Sequence, residues 1–220
     1  MERVLIKEKS KELLKGRWLN AIGAVLIFSI ISSILGFIAK SIPIIGIIIS
    51  FFLTSYIGLS FNNYFIKITE TDKKVKYMDC FIDLLTFLKT IIATIIVNII
   101  SIIFLIISII LFSTFSNNQV INVITFSLCL LVIGLVVYCY LTFFTLFYIF
   151  RENKEIRIIY GIKEAMSISK GFKLEYLIFL LSFLGWYILS VITFGIGFLW
   201  SVPYFLLAQF LFYKNMLKRK

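Results

Sequence analysis

Residues 67–89, KITETDKKVKYMDCFIDLLTFLK, run directly into residues 90–115, TIIATIIVNIISIIFLIISIILFSTF. The first segment carries five positive charges and the second carries no charge of either sign. A helix needs about 20 mostly apolar residues to cross roughly 30 Å of hydrocarbon, so the second segment is long enough by itself. The same alternation governs the whole chain. Of 22 Lys and Arg residues, 21 fall in residues 1–17, 67–89, 151–173 and 214–220, in groups of six, five, six and four. The exception is Lys40, and all 11 acidic residues lie in these stretches or, like Glu175, beside one.

Hydrophobic residues make up 61% of the 220, well above the 45–50% or so of soluble domains. That excess has to face lipid. Six segments are predicted to span: residues 18–39, 42–66, 90–115, 119–150, 174–192 and 198–213. The fourth is longer than required, which implies tilt or a cytoplasmic extension. Lys and Arg concentrate on the cytoplasmic side of membrane proteins. The distribution of 21 positive charges against one therefore puts both ends of the chain in the cytoplasm, with 116–118 and the turn near 193–199 outside. The expected fold is all-α and polytopic, in the cell membrane. Residues 1–17 form a cytoplasmic amphipathic segment, 18–66 a first hairpin, and 67–89 a cytoplasmic or interfacial stretch. A second hairpin occupies 90–150, an interfacial helix 151–173, a third hairpin 174–213 and a basic tail 214–220.

The first 17 residues do not read as a cleavable signal, because the charged region is long and no small-residue cleavage site follows. Cys80, Cys129 and Cys139 are odd in number and scattered, which argues against a disulfide framework and for small apolar filler. The net charge of +11 needs no nucleic acid: a basic residue beside a span gains about 1 kcal/mol from anionic head groups. Membrane lipids, met through those head groups on the cytoplasmic face, are thus the expected partners, with a membrane-protein partner or self-association beside them.

Each pair of spans follows a short amphipathic segment. Within residues 3–15, Val4, Leu5, Leu13 and Leu14 mix with alternating charges. In residues 77–88, Asp79, Asp83 and Thr86 stand at i, i+4 and i+7 and are expected to form one polar stripe on an interfacial helix. In residues 158–170, Ile158, Ile159, Ile162, Ala165 and Met166 line one face, opposite Lys163, Glu164, Ser167 and Lys170. A threefold repeat of amphipathic helix plus hairpin follows as an expectation. The first and last copies share a Lys-Gly step, Lys15-Gly16 and Lys170-Gly171, and an aromatic pair, Tyr64-Phe65 and Phe212-Tyr213.

Chemistry-bearing groups are few. The chain has no His, which removes imidazole bases and His metal ligands. No ionisable residue lies inside a predicted span, which argues against a proton-coupled pump. Asp79 and Asp83 are the carboxylates placed to hold a divalent metal or head group at the interface, although a solvated stripe explains them as well. Asn98 and Gln209 are lone amides expected to form interhelical hydrogen bonds or to line a polar path. Trp18, Trp186, Trp200, Tyr56, Tyr64 and Tyr213 suit interfacial belts. Gly195-x-Gly197 lacks the third glycine and the strand of a dinucleotide loop. These glycines instead let the chain turn or unwind, and Pro203 then begins or kinks the next span.

Residues 160–217 carry a more specific pattern: Glu164-Ala165, Ser169 and Lys170-Gly171, then Gly185-Trp186, Thr193 through Gly197, Pro203-Tyr204 and Phe212-Tyr213. With Lys15-Gly16 and Trp18, this resembles an uncharacterised family of bacterial integral membrane proteins, the domain of unknown function numbered nine hundred and seventy-five. The resemblance implies a multi-span protein of Gram-positive bacteria and no reaction, catalytic residue or cofactor. The hairpin bearing Gly185, Trp186, Thr193, Gly195, Gly197, Pro203 and Tyr204 is the candidate functional surface. The expected function is non-enzymatic and acts through lipid or protein binding, as scaffold, accessory subunit or protection against membrane-active peptides. A transporter component for a lipid or peptide is the first alternative, and an interfacial lipid-modifying enzyme the second.

Overall fold

The computed structural model describes residues 2–41, 45–71, 75–115 and 119–220. Among these residues all regular structure is helical: α1 (Glu2–Leu14), α2 (Trp18–Ser41), α3 (Ile45–Glu70), α4 (Leu84–Phe115), α5 (Gln119–Phe143), α6 (Leu146–Glu152), α7 (Ile158–Ser169), α8 (Lys173–Leu181), α9 (Leu184–Ile192) and α10 (Phe198–Arg219). One 3-10 turn, Tyr77–Cys80, precedes α4. The outer loop expected at 116–118 lies outside the described residues.

Among the described residues, four stretches are long and apolar enough to cross a membrane: Trp18–Ile38, Leu84–Thr114, Gln119–Glu152 and Lys173–Ile192. The sequence reading expected six. The second and sixth are not among the four. Residues 42–44 of the second lie outside the described residues, and Gln209, Lys214 and Asn215 interrupt the apolar run of α10. The fourth segment, longer than a crossing requires, is divided into two helices, α5 and α6. The chain turns at Phe144–Thr145, and Leu146 to Phe150 of α6 are all buried.

The chain divides into two compact units, residues 1–87 with 178–220, and residues 88–177. In the first, the core is concentrated at one end of the helices. Ile6, Ser10 and Leu14 form an i, i+4, i+8 face of α1, and they are buried together with Ala21 and Val25 of α2, Phe61, Phe65 and Ile68 of α3, and Leu207, Ala208 and Phe212 of α10. Phe28 stacks on Phe61 with ring centres 4.6 Å apart. Arg17 Nη1 donates to the carbonyls of Ile68 and Thr71, both at 3.0 Å, which places a cation on the negative end of α3. Tyr64 and Tyr213 are each 2% exposed, so they are core residues and not the interfacial belt they suggested. The other halves of α2 and α3 expose Ile30, Ile34, Phe37, Ile48 and Phe51. Such a surface is of the kind that meets lipid or another protein.

In the second unit, α4 and α5 are joined by weak polar contacts. Ser108 Oγ lies 3.3 Å from Cys129 Sγ, and Cys139 Sγ donates to the Val97 carbonyl at 3.4 Å. α7 buries Gly161, Ala165, Ile168 and Ser169, and leaves Ile159 and Met166 exposed beside Lys163. The apolar face read from the sequence is therefore divided between packing and an outward stripe. Gly161 is required where it stands, because a Cβ there would lie 2.4 Å from the Phe150 ring. Ser169 Oγ fixes the end of α7 by donating to the Thr142 carbonyl at 2.6 Å.

The two Lys-Gly steps have the same local geometry. Gly16 has φ +76 and Gly171 φ +87, the left-handed backbone that ends a helix without a Cβ penalty. In each, the residue after glycine donates its N–H to the carbonyl three back: Arg17 to Leu14 at 2.9 Å, and Phe172 to Ser169 at 3.1 Å. Burial follows the same register, with Ser10 and Ala165, Leu14 and Ser169, and Ala21 and Tyr176 all buried. The segment at 77–89 has no such step. A 3-10 turn takes the place of its expected helix.

Candidate functional site

The hairpin from Gly185 to Tyr204 is a constructed turn. Thr193 Oγ1 donates to the Leu189 carbonyl and accepts the Gly197 N–H, both at 2.9 Å. Gly195 has φ +92 and donates its N–H to Ser190 O at 2.9 Å. Gly197 allows the two arms to touch, since a Cβ there would lie 2.6 Å from Ser190 Cα. Just beneath, the hydroxyls of Ser190 and Ser201 meet at 3.0 Å in a buried position. Trp186 and Tyr204 pair edge to face at 5.8 Å. Pro203 sits buried inside α10, and Gly185 is an ordinary helical residue of α9 with open space around it. The backbone does not unwind at Gly185. The turn is made by residues 193–197, and its polar groups are spent on one another.

Asp79 and Asp83 do not share a helix face. Asp79 lies in the 3-10 turn, while Asp83 precedes α4. Asp83 Oδ2 accepts the backbone N–H of Thr86 at 3.0 Å, and its carboxylate also receives the Thr86 hydroxyl. This is helix N-capping, the role that Asp fills by accepting an otherwise unpaired amide. Among the described residues, no group of three or more His, Cys, Asp or Glu could hold a metal. Burial pushes the Cys80 thiol up from its ordinary value, which leaves little thiolate for reaction. Asn98 donates to Thr94 of its own helix at 2.9 Å and does not join two helices by that bond. Gln209 is buried in α10, in the other unit.

Sequence reasoning missed two pockets. In the first unit a cavity of about 470 Å³ has an apolar floor including Leu5, Leu13, Phe210 and Leu211, with Lys9, Lys214 and Lys218 around it and Glu70 as its acidic residue. In the second unit a cavity of about 690 Å³ sets Lys89, Arg157 and Lys163 around Ile96, Ile159 and Tyr160. Lys89 Nζ donates to the carbonyls of Lys154 and Ile156, which holds the loop before α7. Each pocket is therefore bordered by an amphipathic helix, α1 or α7, and combines cations with aliphatic surface. The signal in the sequence was the basic character of residues 1–17, 67–89, 151–173 and 214–220. Spacing along the chain could not reveal that Lys9 and Lys218 converge.

A family profile described as a protein of unknown function (DUF975) matches residues 1–220. The resemblance read from residues 160–217 thus extends to the whole chain. No curated protein and no solved structure matches.

Proposed function

Because the chain belongs to the DUF975 family, whose function is not defined, we propose from its geometry that it is a multi-pass membrane protein that works by binding anionic lipid. Both ends lie on the cytoplasmic side, and the protein catalyses no reaction. The observation that carries this reading is the pocket formed by Leu5, Lys9, Leu13, Leu211, Lys214 and Lys218. A phospholipid with a net negative head group needs cations for its phosphate and an adjoining apolar surface for its chains. Each Lys near a charged membrane surface contributes about 1 kcal/mol, so three Lys supply roughly 3 kcal/mol of preference over a zwitterionic lipid. The one-sided distribution of Lys and Arg supports the orientation. It also requires the chain to return across the bilayer between residues 41 and 67, which α3, with 26 residues, is long enough to do.

The test is lipid retention. Detergent-solubilised protein is stripped of lipid, offered phosphatidylglycerol and phosphatidylcholine in equal amounts, and read by native mass spectrometry. The expected result is preferential retention of phosphatidylglycerol, lost in the Lys9→Gln/Lys214→Gln/Lys218→Gln variant and kept in Lys220→Gln. Equal retention of both lipids by the native protein would overturn the reading.

A further inference from the structure

The depth of the third hairpin is set by where charge lies on α1. Seven of the thirteen residues of α1 are charged. Lys7 and Lys11, one turn apart, reach toward the turn end of the hairpin. Lys7 Nζ donates to the Ser182 carbonyl at 2.9 Å and sits 4.6 Å from the centre of the Phe183 ring. Lys11 Nζ lies 5.6 Å from the centre of the Tyr204 ring. The opposite edge of α1, with Leu5, Lys9 and Leu13, shares the pocket with Leu211, Lys214 and Lys218. α1 therefore lies across α10, its two lysines level with Ser182 on one arm and Tyr204 on the other.

A full crossing by both arms would bring these charges to mid-bilayer. Tyr204 stands ten positions before Lys214, which is about 15 Å along a helix. Charges at the centre of the hydrocarbon cost about 2.5–3.5 kcal/mol each, so α1 must lie outside it. Ser182, Phe183 and Tyr204 then mark the edge of the hydrocarbon, and only α9, the 193–197 turn and the first residues of α10 lie beyond. α9 has 9 residues, which reach about 14 Å, half of the roughly 30 Å core. By comparison, α2 has 24 residues and reaches about 36 Å.

We propose that residues 184–203 form a re-entrant hairpin that enters the leaflet on the α1 side and ends near the bilayer midplane, its outer surface occupied by acyl chains of that leaflet. The turn itself supports this independently. In hydrocarbon every backbone N–H must find a partner within the protein, whereas in water none needs to. From Thr193 to Ser201, eight successive amides besides Gly197 donate to backbone carbonyls, at 2.9 to 3.2 Å. Gly197 donates to Thr193 Oγ1. The side chains offered outward are apolar: Ile188, Val191, Ile192 and Ile196 are exposed, and Phe194, at the tip, is 99% exposed. A turn that emerged into water would leave Phe194 and Ile196 solvated at the cost of their hydrophobic burial. At the midplane both are surrounded by lipid. The inserted segment adds cross-section to one leaflet only. This inference stands whether or not the lysine pocket holds a lipid.

Spin-label accessibility in liposomes tests it. Single-cysteine variants Phe194→Cys, Ile196→Cys and Val191→Cys are made in a chain with Cys80, Cys129 and Cys139 changed to Ser, labelled with a nitroxide and reconstituted. The expected result is high collision with oxygen, loss of collision with a water-soluble nickel complex added to both sides, and greatest depth at position 194. Collision of the 194 and 196 labels with nickel would place the tip in water on one side or the other and overturn the proposal. Low collision with both reagents would show that protein covers the tip, in a partner or a second copy, and would also overturn it. Because these three side chains are already exposed, loss of folding in all three is not expected, and each reads the depth separately.

Discussion

Ser190 and Ser201 face each other across the third hairpin with hydroxyl oxygens 3.0 Å apart, and their approach depends on Gly197, whose α-carbon packs against Ser190. A Cβ at position 197 would meet backbone, which cannot rotate away as a side chain can. Gly197→Ala is therefore expected to destabilise the protein by about 1–3 kcal/mol, the usual cost of overpacking. Gly185→Ala, in a helix with nothing within 4 Å of its added methyl, is expected to be neutral or to stabilise by about 0.5–1 kcal/mol. Thermal unfolding in detergent, followed by tryptophan fluorescence, separates the two. Equal stability of both variants would show that the arms can separate without cost.

Asp83 provides a second separation, between capping and chemistry. Its carboxylate accepts the Thr86 amide at the start of α4. Asp83→Ala is expected to lower stability by about 0.5–2 kcal/mol and Asp83→Asn by much less, since Asn is an equally good cap. Asp79→Ala is expected to change stability little, because Lys67 donates to the Asp79 backbone carbonyl and not to its carboxylate. If Asp83→Asn proved as damaging as Asp83→Ala, the negative charge and not the hydrogen bond would be what matters, and an interfacial metal or head-group role would regain weight.

The parts of this fold that were legible in the sequence are those fixed by local composition. α4 and α5 follow from uninterrupted apolar runs, and the Lys-Gly steps from glycine's access to left-handed backbone. Asp79 and Asp83 were misread because spacing of four looks the same on a helix face and across a helix start, and only the capping hydrogen bond distinguishes them. For the third hairpin, length and hydropathy are all that sequence offers: they read two spans, the sixth the shortest and open to sharing a broken or kinked hairpin with the fifth. The contact between Lys7 and Ser182 joins positions 175 apart, and no periodicity encodes it. The lysine pockets were hidden for the same reason.

Lys7 is also the residue through which pH should act on this arrangement. Burial, with added repulsion from Lys11 and Arg3, holds its ammonium below the ordinary value of 10.5. Between the lowered value and 10.5 the unfolded chain still carries the proton that the folded chain has released. The unfolded state then binds more protons, so stability rises with pH across that window. The melting temperature of the native chain, relative to Lys7→Met, should climb as pH approaches 10.5 and level off above it. A relative decline over the same range would show that the Ser182 carbonyl stabilises the ammonium more than burial penalises it.

The matching turns at Gly16 and Gly171 lead to a prediction about the repeat. Both glycines adopt φ values that cost an L-residue about 1–2 kcal/mol, and neither would crowd a neighbour, because no atom lies within 4 Å of an added Cβ. Backbone strain is therefore the whole expected effect at each. If the two segments are copies of one unit, Gly16→Ala and Gly171→Ala should destabilise by the same 1–2 kcal/mol or so, and Gly→Asn should cost less at both, since Asn tolerates this conformation. Ser10 and Ala165 occupy the same register, buried and five positions before each Lys. Ser10→Ala keeps the small side chain and loses a hydroxyl that donates to Ile6 O of its own helix, so it should be tolerated. Ser10→Leu and Ala165→Leu should both dislodge their helices. A strain cost at one glycine without the other would mean that the shared step is coincidence, with the two helices held by unrelated contacts.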